Sequence, residues 1–127
     1  MFMVSQLLAY AAAAVAFGWG VAHLVPTRAA ISGFGELAVG NRRILAMEWV
    51  AEGLTLIFIG VLAALAGSVG AGTNQLAVAI KAAAAGMLVA MAVLTASTGA
   101  RTEVVFFRIC PLVKAAAALL LVASIIT

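Results

Sequence analysis

The chain has 127 residues, of which 67% are hydrophobic and 9% charged, and its mean hydropathy is +1.28. A soluble domain of this size carries about 25% charged residues to cover its surface, so a water-facing globule is excluded and a single lipid-embedded domain, residues 1–127, is what the length leaves. Two prolines, twelve glycines without a repeat and one cysteine exclude collagen-like, disordered and disulfide-stapled chains in the same way.

In chain order, segments 3–25, 44–66, 75–97 and 104–126 each reach the roughly 20 apolar residues needed to cross the hydrocarbon of a bilayer. Backbone groups in lipid must be satisfied within their own segment, so all four are predicted helices. The predicted fold class is all-α, an integral membrane four-helix bundle. The first segment has no Lys or Arg before it and is too long for a secretory signal's apolar core, so a retained membrane helix is expected. Pro26 ends it, because proline cannot continue the hydrogen-bond ladder. The connection 26–43 contains Gly33, Gly35 and Gly40 and reads as a surface loop, with a partly re-entrant lid as the alternative. Gly67, Gly70 and Gly72 close the second segment, and the third fades into Ser97-Thr98-Gly99. Cys110-Pro111 frees the carbonyl of Phe107 and is expected to kink the fourth.

The formal net charge is +3. Its basic residues stand singly or as the pair Arg42-Arg43, never as a patch with interleaved aromatics, so no nucleic-acid partner is expected. Between apolar spans such residues act as topology signals. Arg28, Arg42 and Arg43 lie in 26–43, and Arg101 lies in 98–103, whereas the 67–74 turn and the two chain ends carry no side-chain charge. This places the first and third connections in the cytoplasm and both termini outside, in a multi-pass protein of the cell membrane. Cys110 has no partner for an internal disulfide and is expected to act as a small buried hydrophobe.

Helices in lipid associate through close packing of small residues. The second span offers Ala46, Gly53, Gly60, Ala64 and Gly67; the third offers Ala82, Gly86 and Ala90; the fourth offers Ala115 to Ala118. These stripes fit a compact bundle and equally a homodimer.

Charges inside spans are costly and normally face the bundle interior, a wet cavity or one another. Glu48 and Glu52, four apart, share a helix face with Asn41 and Thr55. Lys81 falls on a line with Asn74 and Thr95, Arg108 and Lys114 lie on the fourth span, and His23 lies near the end of the first. At 1.5 Å per residue, Glu48, Arg108 and His23 share one level, and Glu52 and Lys114 share a deeper one. The expected pairs are Glu48 with Arg108 (or His23) and Glu52 with Lys114. Arg108 and Lys81 have stems long enough to reach the interfaces instead. Trp19, His23 and Trp49 are candidates to line one pocket that stacks on a flat ligand, against the plainer role of Trp as an interfacial anchor. With one histidine, a histidine-based metal site is not expected. Glu48, Glu52 and His23 form the remaining hard-ion alternative, and no cofactor is implied.

The motifs Gly20-x-x-His23-x-x-Pro26 and Glu48-Trp49-x-x-Glu52-Gly53, closing the first span and opening the second, resemble those of the small bacterial four-helix membrane proteins of the DoxX-like group. That group is functionally heterogeneous, so the resemblance implies a fold more than an activity. Small multidrug transporters, also four-helix chains, carry their key glutamate in the first helix, and this first helix has none.

Three functions are consistent with these residues. The first is binding or transport of a small hydrophobic or amphipathic molecule at a buried polar site built from Glu48, Glu52, His23, Lys114, Arg108, Trp19 and Trp49, with Glu52 exchanging a proton. The second is an accessory or structural membrane subunit whose ion pairs only orient helices. The third is a membrane-embedded isomerase-like enzyme using Glu48 or Glu52 as base and His23 as acid on a lipid-soluble substrate. No nucleophile motif, phosphate loop or zinc spacing points further.

Overall fold

A computed structural model describes residues 1–70 and 74–127. Among the described residues five α-helices follow one another: α1 (Phe2–Leu24), α2 (Thr27–Ser32), α3 (Val39–Val69), α4 (Gln75–Ser97) and α5 (Val105–Ile126), with a 3-10 turn at Gly99–Arg101 between the last two. Helices α1, α3, α4 and α5 are long and apolar enough to cross a membrane, and the chain is a multi-pass all-α membrane bundle.

The third and fourth spans fall within a residue of their sequence-derived limits, but the second does not. Helix α3 begins at Val39 and runs 31 residues, about 46 Å at 1.5 Å per residue, against about 30 Å of hydrocarbon. Hydropathy marks only the lipid-buried part, so the first turns with Asn41, Arg42 and Arg43, all exposed, escape it. The connection 26–43 is therefore mostly helical: α2 follows Pro26 directly, Ile31 is buried beneath it, and only 33–38 separate α2 from α3. Gly67 lies inside α3, packed against Ala9 and Tyr10 of α1, and Gly70, at φ +146°, is where α3 stops. Gly72 lies outside the described residues. Asn74 caps α4, its side-chain oxygen accepting from the backbone N–H groups of Leu76 (3.0 Å) and Ala77 (3.3 Å), two of the donors a helix start leaves unpaired.

In the bundle α1 packs on α3 and α5, and α4 packs on α5 and less closely on α3. The diagonals are therefore α1–α4 and α3–α5. The core is alanine-rich, with Leu56, Ile59, Leu88, Met91 and Leu121 as its bulky members. Its tightest seam is α1–α3. A Cβ on Gly60 would stand 2.8 Å from the backbone nitrogen of Phe17, and one on Gly20 would stand 2.8 Å from the carbonyl oxygen of Gly53. Those backbones approach as closely as they do because neither glycine has a side chain. The stripe read on the third span faces outward instead: Ala82, Gly86 and Ala90 are exposed, and the inward face of α4 carries Ala77, Lys81, Ala84, Ala85, Leu88 and Met91. The two faces are equally small and apolar, so composition could not choose between them.

This difference is measurable. Gly60→Ala forces α1 away from α3 and is expected to lower unfolding free energy in detergent by about 1–3 kcal/mol. Gly86→Ala, with no atom within 4 Å of the added Cβ, is expected to stay within about 0.5 kcal/mol of the parent. Equal losses at the two positions would contradict the packing.

Candidate functional site

Four side chains, one from each spanning helix, meet at the end of the bundle that carries α2. Lys114 of α5 reaches across the diagonal to donate to Glu52 Oε1 of α3 in a very short contact, and it donates to Thr95 Oγ1 of α4 at 2.7 Å. His23 of α1 places Nε2 3.8 Å from Glu52 Oε2. His23 and Lys114 are each 1% exposed, and the Glu52 side chain is 33% exposed. The arrangement follows from sequence spacing: His23 ends α1, Glu52 lies one turn into the apolar part of α3, and Lys114 sits at the matching level of α5.

Aromatic rings fix the histidine. The Trp49 indole stacks on His23 at 4.0 Å between centroids and 18° between planes, while Trp49 Nε1 donates to the His23 carbonyl at 2.8 Å. Trp19 stacks on Phe106 at 4.7 Å and donates Nε1–H to Cys110 Sγ at 3.2 Å. Held at both the face and the edge, each indole has one orientation. Cys110 is buried, as expected from its sequence, but it also serves as an acceptor.

Beside this cluster a cleft of about 660 Å³ opens between α3 and α4. Its walls carry Ala51 and Thr55 of α3, Met87, Met91 and Leu94 of α4, and Phe107 of α5; Glu52, Lys114, His23 and Thr95 lie at its polar end. Glu48 lines the exposed mouth. A smaller, almost wholly apolar pocket of about 390 Å³ lies under α2, and Phe34, Trp49 and Phe107 line both spaces. Clefts of several hundred Å³ with a few convergent polar groups are the usual form of small-molecule sites.

No protein family, curated protein or solved structure matches the chain. Function is therefore argued from the site's own chemistry.

The structure joins Glu52 to Lys114, as their common depth predicts, and it adds His23 and Thr95. It does not join Glu48 to Arg108. Both are exposed, neither forms an ion pair among the described residues, and His23 turns to Glu52 rather than to Glu48. The reason is angular. Residues at equal depth meet only if their helices present them to each other, and Arg108 lies on the outer face of α5, where its stem can reach water. Trp49 lines the cleft, whereas Trp19 is engaged with Phe106 and Cys110. Among the described residues no three His, Cys, Asp or Glu side chains gather as metal ligands.

A second polar contact occupies the opposite end. Lys81 of α4 is 1% exposed and donates across the other diagonal to Ser5 Oγ of α1 and, on the neighbouring α5, to the Ser124 carbonyl, both at 3.3 Å. Snorkelling, open to it by sequence, is not what it does. Ser5 and Ser124 were not picked out by sequence, although both lie near span ends at the level of Lys81. Thr95, expected on the Lys81 line, belongs instead to Lys114.

Proposed function

We propose that this protein binds, and carries within or across the bilayer, a small hydrophobic or amphipathic molecule in the α3–α4 cleft. The observation supporting this reading is a cleft of about 660 Å³ with methionine and aliphatic walls that ends on the Glu52–Lys114–His23 cluster. Apolar walls lower the cost of holding a hydrocarbon body, and a few fixed polar groups at one end orient it. An ion pair whose only role was to orient helices would need no adjoining cleft. In this reading the α2 end faces the cytoplasm and both termini face outward, following the arginines of 26–43 and 98–103. An affiliation with the DoxX-like group belongs to the same proposal and rests on the Gly20–Pro26 and Glu48–Gly53 motifs.

Ala51 lines the cleft and is not a member of the ion pair. Ala51→Phe fills the space and is expected to weaken binding of 1-naphthol and 1-methoxynaphthalene at least about tenfold. The measurement is calorimetric titration of protein in lipid nanodiscs, with empty nanodiscs subtracted. Absence of saturable binding for both compounds, or indifference of both to Ala51→Phe, would remove the cleft from the function.

A further inference from the structure

Resting on the cleft reading above, we infer that the polar end of the cleft selects an uncharged hydroxyl group, received between Glu52 Oε2 and His23 Nε2. These two atoms stand 3.8 Å apart, too far for a direct hydrogen bond, and an oxygen atom admitted by a turn of the one-third exposed Glu52 side chain can lie at about 2.8 Å from each. The other oxygen of Glu52 is engaged by Lys114. Neither His23 Nδ1 nor His23 Nε2 has a hydrogen-bond partner among the described residues, and the ring is 1% exposed. Buried polar nitrogens are nearly always paired, so this imidazole, held by Trp49 in the cleft wall, has hydrogen-bonding capacity that the protein leaves unmet.

The charged groups around the cleft set the ligand's charge. Glu52 and Lys114 cancel at the floor, and Glu48 stands at the exposed mouth. An anion meets Glu48 on approach and the Glu52 carboxylate at the end, whereas a cation meets the buried Lys114 ammonium. An uncharged head avoids both costs.

Hydrogen-bond inventory sets the group. A carboxylate only accepts, and imidazole with its proton on Nε2 donates there. A hydroxyl does both, donating to Glu52 Oε2 and accepting from His23 Nε2–H. An ether or carbonyl oxygen only accepts and would turn its lone pairs on Oε2. The body beyond the hydroxyl lies along Trp49, Phe107 and Met91, which suits a flat ring.

The test compares 1-naphthol with 1-methoxynaphthalene, 1-naphthoate and 1-naphthylmethylammonium on the intact chain in nanodiscs. The naphthol is expected to bind about 30-fold more tightly than its methyl ether, the factor for one hydrogen bond to a charged group. Both ions are expected to bind more weakly than the naphthol. His23→Phe keeps a ring on Trp49 but removes the donor to the hydroxyl, and it is expected to weaken naphthol binding about fivefold, leave it above the ether because Glu52 Oε2 still accepts, and leave the ether unchanged. A second readout needs no variant. The chain has one histidine, so the ¹⁵N signals of His23 report the contact directly, moving with the naphthol and not with the ether. Saturable binding of naphthol and ether with equal affinity, or tighter binding of either ion, overturns hydroxyl selection and leaves the cleft reading standing. Saturable binding of neither neutral compound overturns both.

Discussion

Replacing Glu52 by Gln is expected to cost about 3 kcal/mol of unfolding free energy, and replacing Lys114 by Met in the same molecule is expected to restore all but about 1 kcal/mol of it. The first change leaves the Lys114 ammonium 1% exposed with Thr95 Oγ1 and an amide oxygen in place of a carboxylate. Removing one partner of a buried pair is costly because the other charge stays out of water, and the measured range is about 3–5 kcal/mol. The lower end applies here because Glu52 is 33% exposed and solvent screens part of its field. Taking away both charges removes the problem, since methionine follows the course of the lysine stem at similar volume. Equilibrium unfolding in mixed micelles checks both values. Additive losses in the double variant would mean that the two residues do not act as a pair.

Lys81→Met is expected to act in the opposite direction and raise stability by about 1–3 kcal/mol. Lys81 is as buried as Lys114, yet its partners are a hydroxyl and a carbonyl at 3.3 Å, long for bonds from an ammonium, which run at about 2.7–2.9 Å to an anion. No carboxylate pairs with it among the described residues. Its desolvation is thus offset only by two weak contacts. Removing it orphans nothing, because the Ser5 hydroxyl already donates to the Ser124 carbonyl. A loss of stability in Lys81→Met under the same unfolding conditions would show that the contact with α1 and α5 outweighs the buried charge.

These two lysines also show where the sequence could be read and where it could not. Depth follows from residue count, so the shared level of Glu52 and Lys114 was visible in spacing alone and the pair forms. Helix rotation does not follow from count. Glu48 and Arg108 share a level too, but Glu48 lines the exposed mouth of the cleft while Arg108 lies on the outer face of α5, and no hydropathy pattern distinguishes the inner face of an alanine-rich helix from its lipid face. The stripe Ala82, Gly86 and Ala90 accordingly faces outward on α4 and does not pack inside the bundle, whereas Gly53, Gly60 and Gly67 on α3 lie inward. The number of spans and their type came directly from apolar length. The extension of α3 over 39–43 did not, because a helix that leaves the hydrocarbon loses its hydropathy signal while keeping its hydrogen bonds. Ser5 and Ser124 are the partners that counting levels could have found, being the polar residues opposite Lys81.

The loose seam between α3 and α4 has a consequence for supply. Along α4 the cleft wall runs from Met87 to Thr98, about 16 Å of helix rise and roughly half of the hydrocarbon thickness, and Met87, Leu94 and Ala51 are exposed along it. A guest can thus arrive sideways out of the acyl chains, never passing through water. The bilayer then acts as reservoir: apparent affinity referred to total compound will fall as lipid is added at fixed protein, and affinity expressed as mole fraction in lipid will stay constant.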